Sequence, residues 1–279
     1  LYINNGDGTF TDNLKSSFGH TSHFSMGNDV ADINNDGLVD IYTLDMLPED
    51  NRRQKLLLAP DNYAKFELNL KKGFHYQYMR NMLQINNGNG TFSEVGQFAG
   101  VSNTDWSWAA LFADYDNDGL KDLFVTNGYL RDYTNMDFIK YMDDFVKEKR
   151  GQIKRDDVLE LVNKMPSSNV SNYIYKNSGS LSFDDKSVEW GIKFPVNSNG
   201  AAYSDLDNDG DLDLIVNNIN LPASILQNES DNALSHNYLK LNMNGAGMNT
   251  LGIGAKVTIY TDGKMQYLEQ MPARGYQSN

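Results

Sequence analysis

The sequence predicts an all-β fold, a β-propeller of four-stranded blades with helical insertions and a small β module at the C-terminus. Three observations carry that expectation. A nine-residue pattern occurs three times, as Asp32-Ile-Asn34-Asn-Asp36-Gly37-Leu-Val-Asp40, Asp114-Tyr-Asp116-Asn-Asp118-Gly119-Leu-Lys-Asp122 and Asp205-Leu-Asp207-Asn-Asp209-Gly210-Asp-Leu-Asp213. A hairpin signal also recurs, as Leu1-Tyr-Ile-Asn-Asn-Gly-Asp-Gly-Thr-Phe10, as Leu83-Gln-Ile-Asn-Asn-Gly-Asn-Gly-Thr-Phe92, and in a weaker copy, Tyr173 to Phe183. The phase between the two is constant: from Phe10 to Asp32, Phe92 to Asp114 and Phe183 to Asp205 the interval is 22 residues. Internal repetition at this length, with strand, loop and hairpin in fixed order, is the signature of blades rather than of a single sheet.

Each element follows from its residues. Before the Asp pattern stand Gly27–Ala31, Ala109–Ala113 and Gly200–Ser204, and after it stand Ile41–Leu44, Leu123–Thr126 and Leu214–Asn217. These flanks read as strands A and B, because the residues after each loop are β-branched and apolar. Strand C is the Leu-Tyr-Ile-Asn type of run, also present at Ser224–Glu229, and strand D starts at the recurring Phe. Phe10, Phe92, Phe183, Trp106 and Trp108 are expected in the core.

The units differ between strands B and C, where segments of about 48–80 and 131–170 intervene in the first two. In the second insert Met136, Ile139, Met142, Phe145 and Val146 predict one helical face, with Asn135 as its cap. A second helix carries Val158, Leu159, Leu161 and Val162, with Asp156 and Asp157 in its first turn and Pro166 beyond its end. The first insert is expected to be partly helical between Asn62 and Met79 and is rich in aromatic residues. Because loops of an antiparallel blade alternate between its two ends, the Asp loops and the hairpin turns should share one face. The inserts should form a helical cap on the other. Decorated loops on a rigid scaffold are where function usually resides.

From His236 the repeat stops. Tyr238–Asn242 and Gly252–Tyr260 read as strands, and Thr261-Asp-Gly-Lys264 as a hairpin turn into Met265–Glu269. The expected division is 1–232 for the blades and 233–279 for the β module. Gly245-Ala-Gly247 precedes no helix of phosphate-binding character. The chain opens at Leu1 inside a repeat element, so a longer parent chain is expected, with any export signal or lipid anchor upstream.

Oxygen side chains at loop positions 1, 3, 5 and 9, with Gly at 6, form a pattern suited to a hard cation. The glycine permits the sharp turn, and the position-7 carbonyl can complete a cage. Calcium tolerates six to eight oxygens in loose geometry and is favoured over magnesium, which keeps more of its waters. An EF-hand is excluded, because position 12 is Thr43, Val125 and Val216 rather than Glu, and strands flank the loops.

A net charge of −13 with no basic cluster argues against nucleic acid and anionic membranes, and no run approaches the ~20 apolar residues of a membrane span. There is no Cys, hence no disulfide framework. Weak calcium loops fill only where calcium is near-millimolar, which points outside the cell. His20, His23, His75 and His236 lack the further ligands a zinc site needs and are read as surface or packing residues.

The Asp-x-Asp/Asn-x-Asp-Gly-x-x-Asp loops together with the Asn-Asn-Gly-Asp-Gly-Thr-Phe hairpin resemble FG-GAP/VCBS repeats, which build the integrin α-subunit propeller and many bacterial surface proteins. Gly252-Ile-Gly-Ala-Lys256 through Arg274-Gly-Tyr-Gln-Ser278 resembles an ASPIC/UnbV module. The pairing is similar to the cartilage acidic protein family, and the inserts to its Bacteroidetes members. The resemblance implies about seven blades in a full propeller, of which three to four lie here, and about three calcium ions. Their ligands would be Asp32, Asn34, Asp36, Leu38 (backbone) and Asp40; Asp114, Asp116, Asp118, Leu120 (backbone) and Asp122; and Asp205, Asp207, Asp209, Asp211 (backbone) and Asp213. Asn34 stands where Asp is commoner, so the first site should be the weaker for one charge fewer.

The residues leave two readings of function. One is a non-catalytic, exported module for adhesion or recognition of a surface glycan or protein. The other is a calcium-assisted polysaccharide lyase or hydrolase using the insert face, with His75, Tyr76 and Arg131 as candidates. The sequence specifies neither the ligand nor the oligomeric state.

Overall fold

A computed structural model describes residues 1–60, 62–230 and 236–276. In the first complete blade, β4 (Asn28–Ala31), β5 (Asp40–Thr43), β7 (Met82–Asn86) and β8 (Phe92–Glu94) lie side by side in chain order, all antiparallel. The second blade repeats this with β9 (Ser107–Ala113), β10 (Asp122–Asn127), β11 (Tyr173–Asn177) and β12 (Phe183–Asp185). The third has three strands, β13 (Ser198–Ser204), β14 (Asp213–Asn218) and β15 (Ser224–Leu226). β1 (Tyr2–Asn4) and β2 (Phe10–Asp12) form a hairpin of C–D type that, among the described residues, pairs only with itself, and α1 (Leu14–Ser17) and β3 (Thr21–Ser22) lead into the first blade.

The blades stack face to face. Tyr42, Leu83, Val101, Phe112, Leu123, Val125 and Phe183 fill the space between the first and second. Leu111, Tyr115, Phe124, Ile174, Leu214 and Val216 do the same between the second and third. β10 alternates its side chains between these two cores, so all six of its residues are buried, while the edge strands β1 and β2 are exposed throughout. The inner strands are also stitched directly: Phe112 N donates to Asp29 Oδ2 at 2.7 Å, and Asp29 also accepts from Arg274 Nη1 at 3.2 Å.

The expected aromatic core holds in part. Phe183 and Trp106 are buried. Phe92 and Trp108 are half-buried, Phe92 against Phe18 and Trp108 against Tyr129 and Tyr276. Phe10 is 61% exposed, because its hairpin has no blade face against which to pack.

The two inserts meet, as the alternation of loops requires. The first contains α2 (Asn51–Leu57), capped by Asp50, and α3 (Tyr63–Lys71), capped by Asn62, followed by β6 (Gln77–Tyr78), which pairs in parallel with β3. Helix thus starts earlier than the aromatic pattern suggested and ends well before Met79, where Gly73 takes φ +90°. The second insert contains α4 (Met136–Glu148), with Asn135 accepting from Phe138 N as its cap, and α5 (Arg155–Lys164). The face that α4 buries is Phe138 and Phe145, and Met136, Ile139 and Met142 are exposed. Val158, Leu159 and Val162 of α5 are exposed as well. The larger aromatic rings decide the rotation of α4, since they remove more apolar area from water. α2 contacts α4, and Arg53 of α2 donates to both Asp105 and Asp132.

β16 (Lys256–Thr261) and β17 (Lys264–Glu269) form the C-terminal hairpin, with Asp262 and Gly263 at φ +50° and +78° as a type I′ turn requires. Residues 238–242 are not a strand: among the described residues no neighbour pairs with them, and Leu239 and Leu241 are exposed. The division expected at 232–233 lies outside the described residues. The tail docks on the blades: Lys121 Nζ donates to Tyr267 O, Gly275 bridges Asn28, and Tyr276 lies against Trp108.

Candidate metal centre

The three Asp loops share one backbone. Position 4 is left-handed in each, at φ +58° for Asn35, +55° for Asn117 and +63° for Asn208, and the position-6 glycines follow at +85°, +90° and +101°. Asparagine tolerates this region better than other non-glycine residues, and glycine enters it freely. Asp32 and Asp114 each accept two backbone N–H groups across the turn, from Asp36 and Gly37 and from Asp118 and Gly119, at 2.8–3.1 Å.

Position 9 does something else. Asp40, Asp122 and Asp213 are almost wholly buried. Each accepts the N–H of position 2 with one oxygen (Ile33, Tyr115, Leu206) and the N–H of a strand-C asparagine with the other (Asn86, Asn177, Asn228). These aspartates lock each loop to its own sheet.

The asparagines also join one loop to the next. Asn35 Nδ2 donates to Gly119 O at 2.9 Å and Asn117 Nδ2 to Asp211 Oδ1 at 2.7 Å. Asn177 Nδ2 reaches Ile33 O of the first loop, and Asn228 Nδ2 reaches Tyr115 O of the second. Asn at position 4 and at the end of strand C in all three units is the sequence signal for this chain of loops.

Carboxylate oxygens of Asp114, Asp116 and Asp122 lie within 4.8 Å of one another, as do those of Asp205, Asp207 and Asp209. Oxygens each about 2.4 Å from one ion cannot be more than about 4.8 Å apart, so each trio can share a calcium. Asp116 Oδ1 and Asp205 Oδ1 are buried without a hydrogen-bond partner among the described residues. An unpartnered buried carboxylate oxygen is costly, and one in each trio fits the need of a cation. Among the described residues no such trio forms in the first loop, where Asn34 Nδ2 instead donates to Asp36 Oδ2 at 3.0 Å. Of the predicted ligands, the structure therefore gathers positions 1, 3 and 9 in the second loop and positions 1, 3 and 5 in the third. Leu38, Leu120 and Asp211 occupy position 7.

Burial and crowding set the acidities. Asp40 is raised to about 6 by burial, with Asp36 and Asp32 adding repulsion against the relief from two backbone N–H groups. Asp114 reaches about 6 for the same reasons, with Asp118 and Asp116 nearby, and Asp122 about 8, with Asp116 and Asp114 nearby. Carboxylates that hold protons near neutrality are those a divalent ion would most relieve.

The C-terminal module lies across this face. A Cβ on Gly37 would meet the Met265 methyl at 3.4 Å, one on Gly119 would meet Gln266 Nε2 at 2.8 Å, and the Tyr238 ring lies where a Cβ on Gly210 would stand. The position-6 glycines thus serve the docking as well as the turn. The histidines are used in packing and hydrogen bonding: His20 with Glu94 and Arg80, His23 on Phe24, His75 to Phe18 O, and His236 to Asp116 O.

Blades with Asp loops chained along one face, and inserts at the other, define a repeat-built β protein in which two aspartate clusters could hold a metal ion. Residues 1–43 and 74–125 match the FG-GAP-like repeat, and residues 245–279 match ASPIC and UnbV. The chain thus carries FG-GAP-like repeats and, near its C-terminus, an ASPIC and UnbV segment. The third blade repeats the same loop outside the matched residues. No curated protein matches the chain. Among the described residues no helix is long and apolar enough to cross a membrane.

Proposed function

We propose that the chain is an exported, calcium-stabilised recognition module that binds a surface glycan or protein without catalysis. The observation that carries this is the pair of unpartnered, buried carboxylate oxygens, Asp116 Oδ1 and Asp205 Oδ1, each within a trio of converging aspartates. Calcium bound there would draw strands A and B of a blade together at one end and, through the asparagine links, hold neighbouring loops in register. A scaffold stiffened in this way presents its loops and inserts at low entropic cost to a partner. Up to three ions are proposed, with the first loop the weakest for its Asn34. Filling of weak sites by near-millimolar calcium supports a place at the cell surface or outside it.

The lyase or hydrolase reading has less support. Arg131 Nη1 is bonded to Met165 O at 3.1 Å and His75 Nε2 to Phe18 O at 2.9 Å, so both are engaged in holding the inserts. Tyr76 packs against Phe66 and His75.

The test is retention of glycan and surface-protein panels on the full chain, in calcium and in EGTA, with eluates sized over time. Calcium-dependent retention of intact ligand is expected. Progressive shortening of a retained polysaccharide would overturn the non-catalytic reading.

A further inference from the structure

The three loops face different side chains from strand C. The residue before the locking asparagine is Ile85 in the first blade, Lys176 in the second and Gln227 in the third; Asn86, Asn177 and Asn228 fix the equivalence by their identical bonds to position 9. Ile85 is buried and apolar. Gln227 Nε2 donates to Asp207 Oδ2 at 2.7 Å, a neutral contact to position 3. Lys176 Nζ donates to Asp116 Oδ2 and, at 2.6 Å, to Asp118 Oδ2. The lysine is only 27% exposed, and Asp116 and Asp118 are 8% and 20% exposed. Strand pairing holds its backbone, with Lys176 opposite Asp184.

The consequence is visible in the two trios. In the third loop the converging oxygens come from positions 1, 3 and 5; in the second, position 5 is missing and position 9 takes its place. Asp118 has both oxygens engaged, Oδ1 by Leu120 N and Oδ2 by Lys176. Asp116 has one oxygen on the lysine and the other unpartnered in the cradle. An ammonium offers at most three donors, whereas calcium asks for six or more oxygens, so the lysine satisfies only part of the loop.

We propose that Lys176 is a built-in competitor for the metal of the second loop: its ammonium holds Asp116 and Asp118 when no ion is bound and must release Asp118, and one oxygen of Asp116, before a divalent cation gains a full ligand set. This rests on the calcium reading above. It makes the loops unequal in a way the ligand pattern alone hides. The second loop has the complete Asp-x-Asp-x-Asp pattern, yet the third should fill at lower calcium: it has a neutral glutamine at the equivalent position, and the lysine it does meet, Lys240 on Asp205 Oδ2 at 3.1 Å, is 63% exposed and so more easily displaced than the largely covered Lys176. The second blade would hold its loop together without metal, and its occupancy would report higher calcium.

The experiment is a calorimetric calcium titration of the full chain as wild type, K176Q, K176R and K176Q combined with D116N, after EGTA-treated melting curves establish that each folds. K176Q installs the amide that the third blade already carries, and K176M is the alternative if it folds poorly. K176Q is expected to tighten one calcium phase, that of the second loop, by about ten- to a hundredfold relative to wild type, the range for releasing one charge-assisted hydrogen bond. Adding D116N should remove that phase and so assign it to the second loop, and K176R should stay as weak as wild type. A titration of K176Q that superimposes on wild type, while wild type does bind calcium, overturns the competitor role and leaves the calcium reading intact. Calcium uptake by K176Q alone supports the competitor role and means that the native second loop is held by lysine. Uptake by neither removes the calcium reading, and this inference with it.

Discussion

The two ends of the blades solve the same problem, buried acid, in opposite ways. At the insert end Asp105 and Asp132 converge on Arg53, which donates to both from the first insert, so the charge is answered within the chain. At the loop end Asp114, Asp116 and Asp122, and again Asp205, Asp207 and Asp209, converge with two oxygens left unpartnered. Arginine's fork suits a fixed pairing of two carboxylates across two segments. A loop that leaves oxygens unanswered is coupled to whatever cation the surroundings supply. The difference teaches that buried acid at one end is answered within the chain, while at the other two carboxylate oxygens are left open to a cation from the medium, as proposed above.

The sharpest break of this comparison is Arg53→Met. It leaves two nearly buried aspartates facing each other and should cost about 3–5 kcal/mol, since removing one partner strands the other charge. The loss in thermal or denaturant unfolding should be the same in calcium and in EGTA. A loss that calcium abolishes would mean that the two ends are not independent.

Chelation comes next. With calcium at a hundred times the dissociation constant, each occupied site adds about 2.7 kcal/mol to stability. EGTA should therefore lower the melting temperature by several degrees, and Asp207→Asn should remove most of the third loop's share. A melting curve identical in both media would end the claim that the loop end depends on a cation.

A smaller effect concerns pH in EGTA. Asp40 and Asp114 near 6 and Asp122 near 8 all lie above their unfolded value of 3.8. Between those limits the folded chain binds more protons than the unfolded one, so stability falls as pH rises through 4 to 8. Saturating calcium should flatten the profile, because the ion then takes the place of the protons. Melting temperatures in EGTA that rise between pH 5.5 and 8 would contradict the assigned burial of these carboxylates.

The smallest effect is expected of Asn117→Gly, which keeps the left-handed φ of +55° free of strain. It removes one bond between the second and third loops and should cost about 1 kcal/mol. Its use is to sharpen the comparison. If neighbouring loops act together, the same change should also separate the calcium titration into phases further apart, as read by calorimetry.

Much of this architecture was legible in residue patterns. The interval of 22 residues from Phe to Asp, in three copies, is a direct image of strand D, the link between blades and strand A. The alternation of loops placed the inserts together before Arg53 showed how they join. Asn135 announced its cap because N-cap chemistry is local. Phe10 misled because burial depends on a neighbouring sheet, which its own hairpin does not contain. Met136, Ile139 and Met142 misled because α4 had two apolar stripes to choose between, and Phe138 and Phe145 won the contact. Tyr238–Asn242 had strand-like alternation and found no ladder among the described residues.

The sequence by itself determined the elements whose causes lie within a few residues: the loop turns, the glycines and asparagines at left-handed positions, the hairpins, the blade period and the supply of oxygen ligands. Only the tertiary structure decided which oxygens converge, which loop has Lys176 beside it rather than Gln227 or Ile85, and that the C-terminal hairpin lies across the position-6 glycines. Those outcomes depend on distances between segments far apart in the chain, and they are settled when the strands pair and the blades stack.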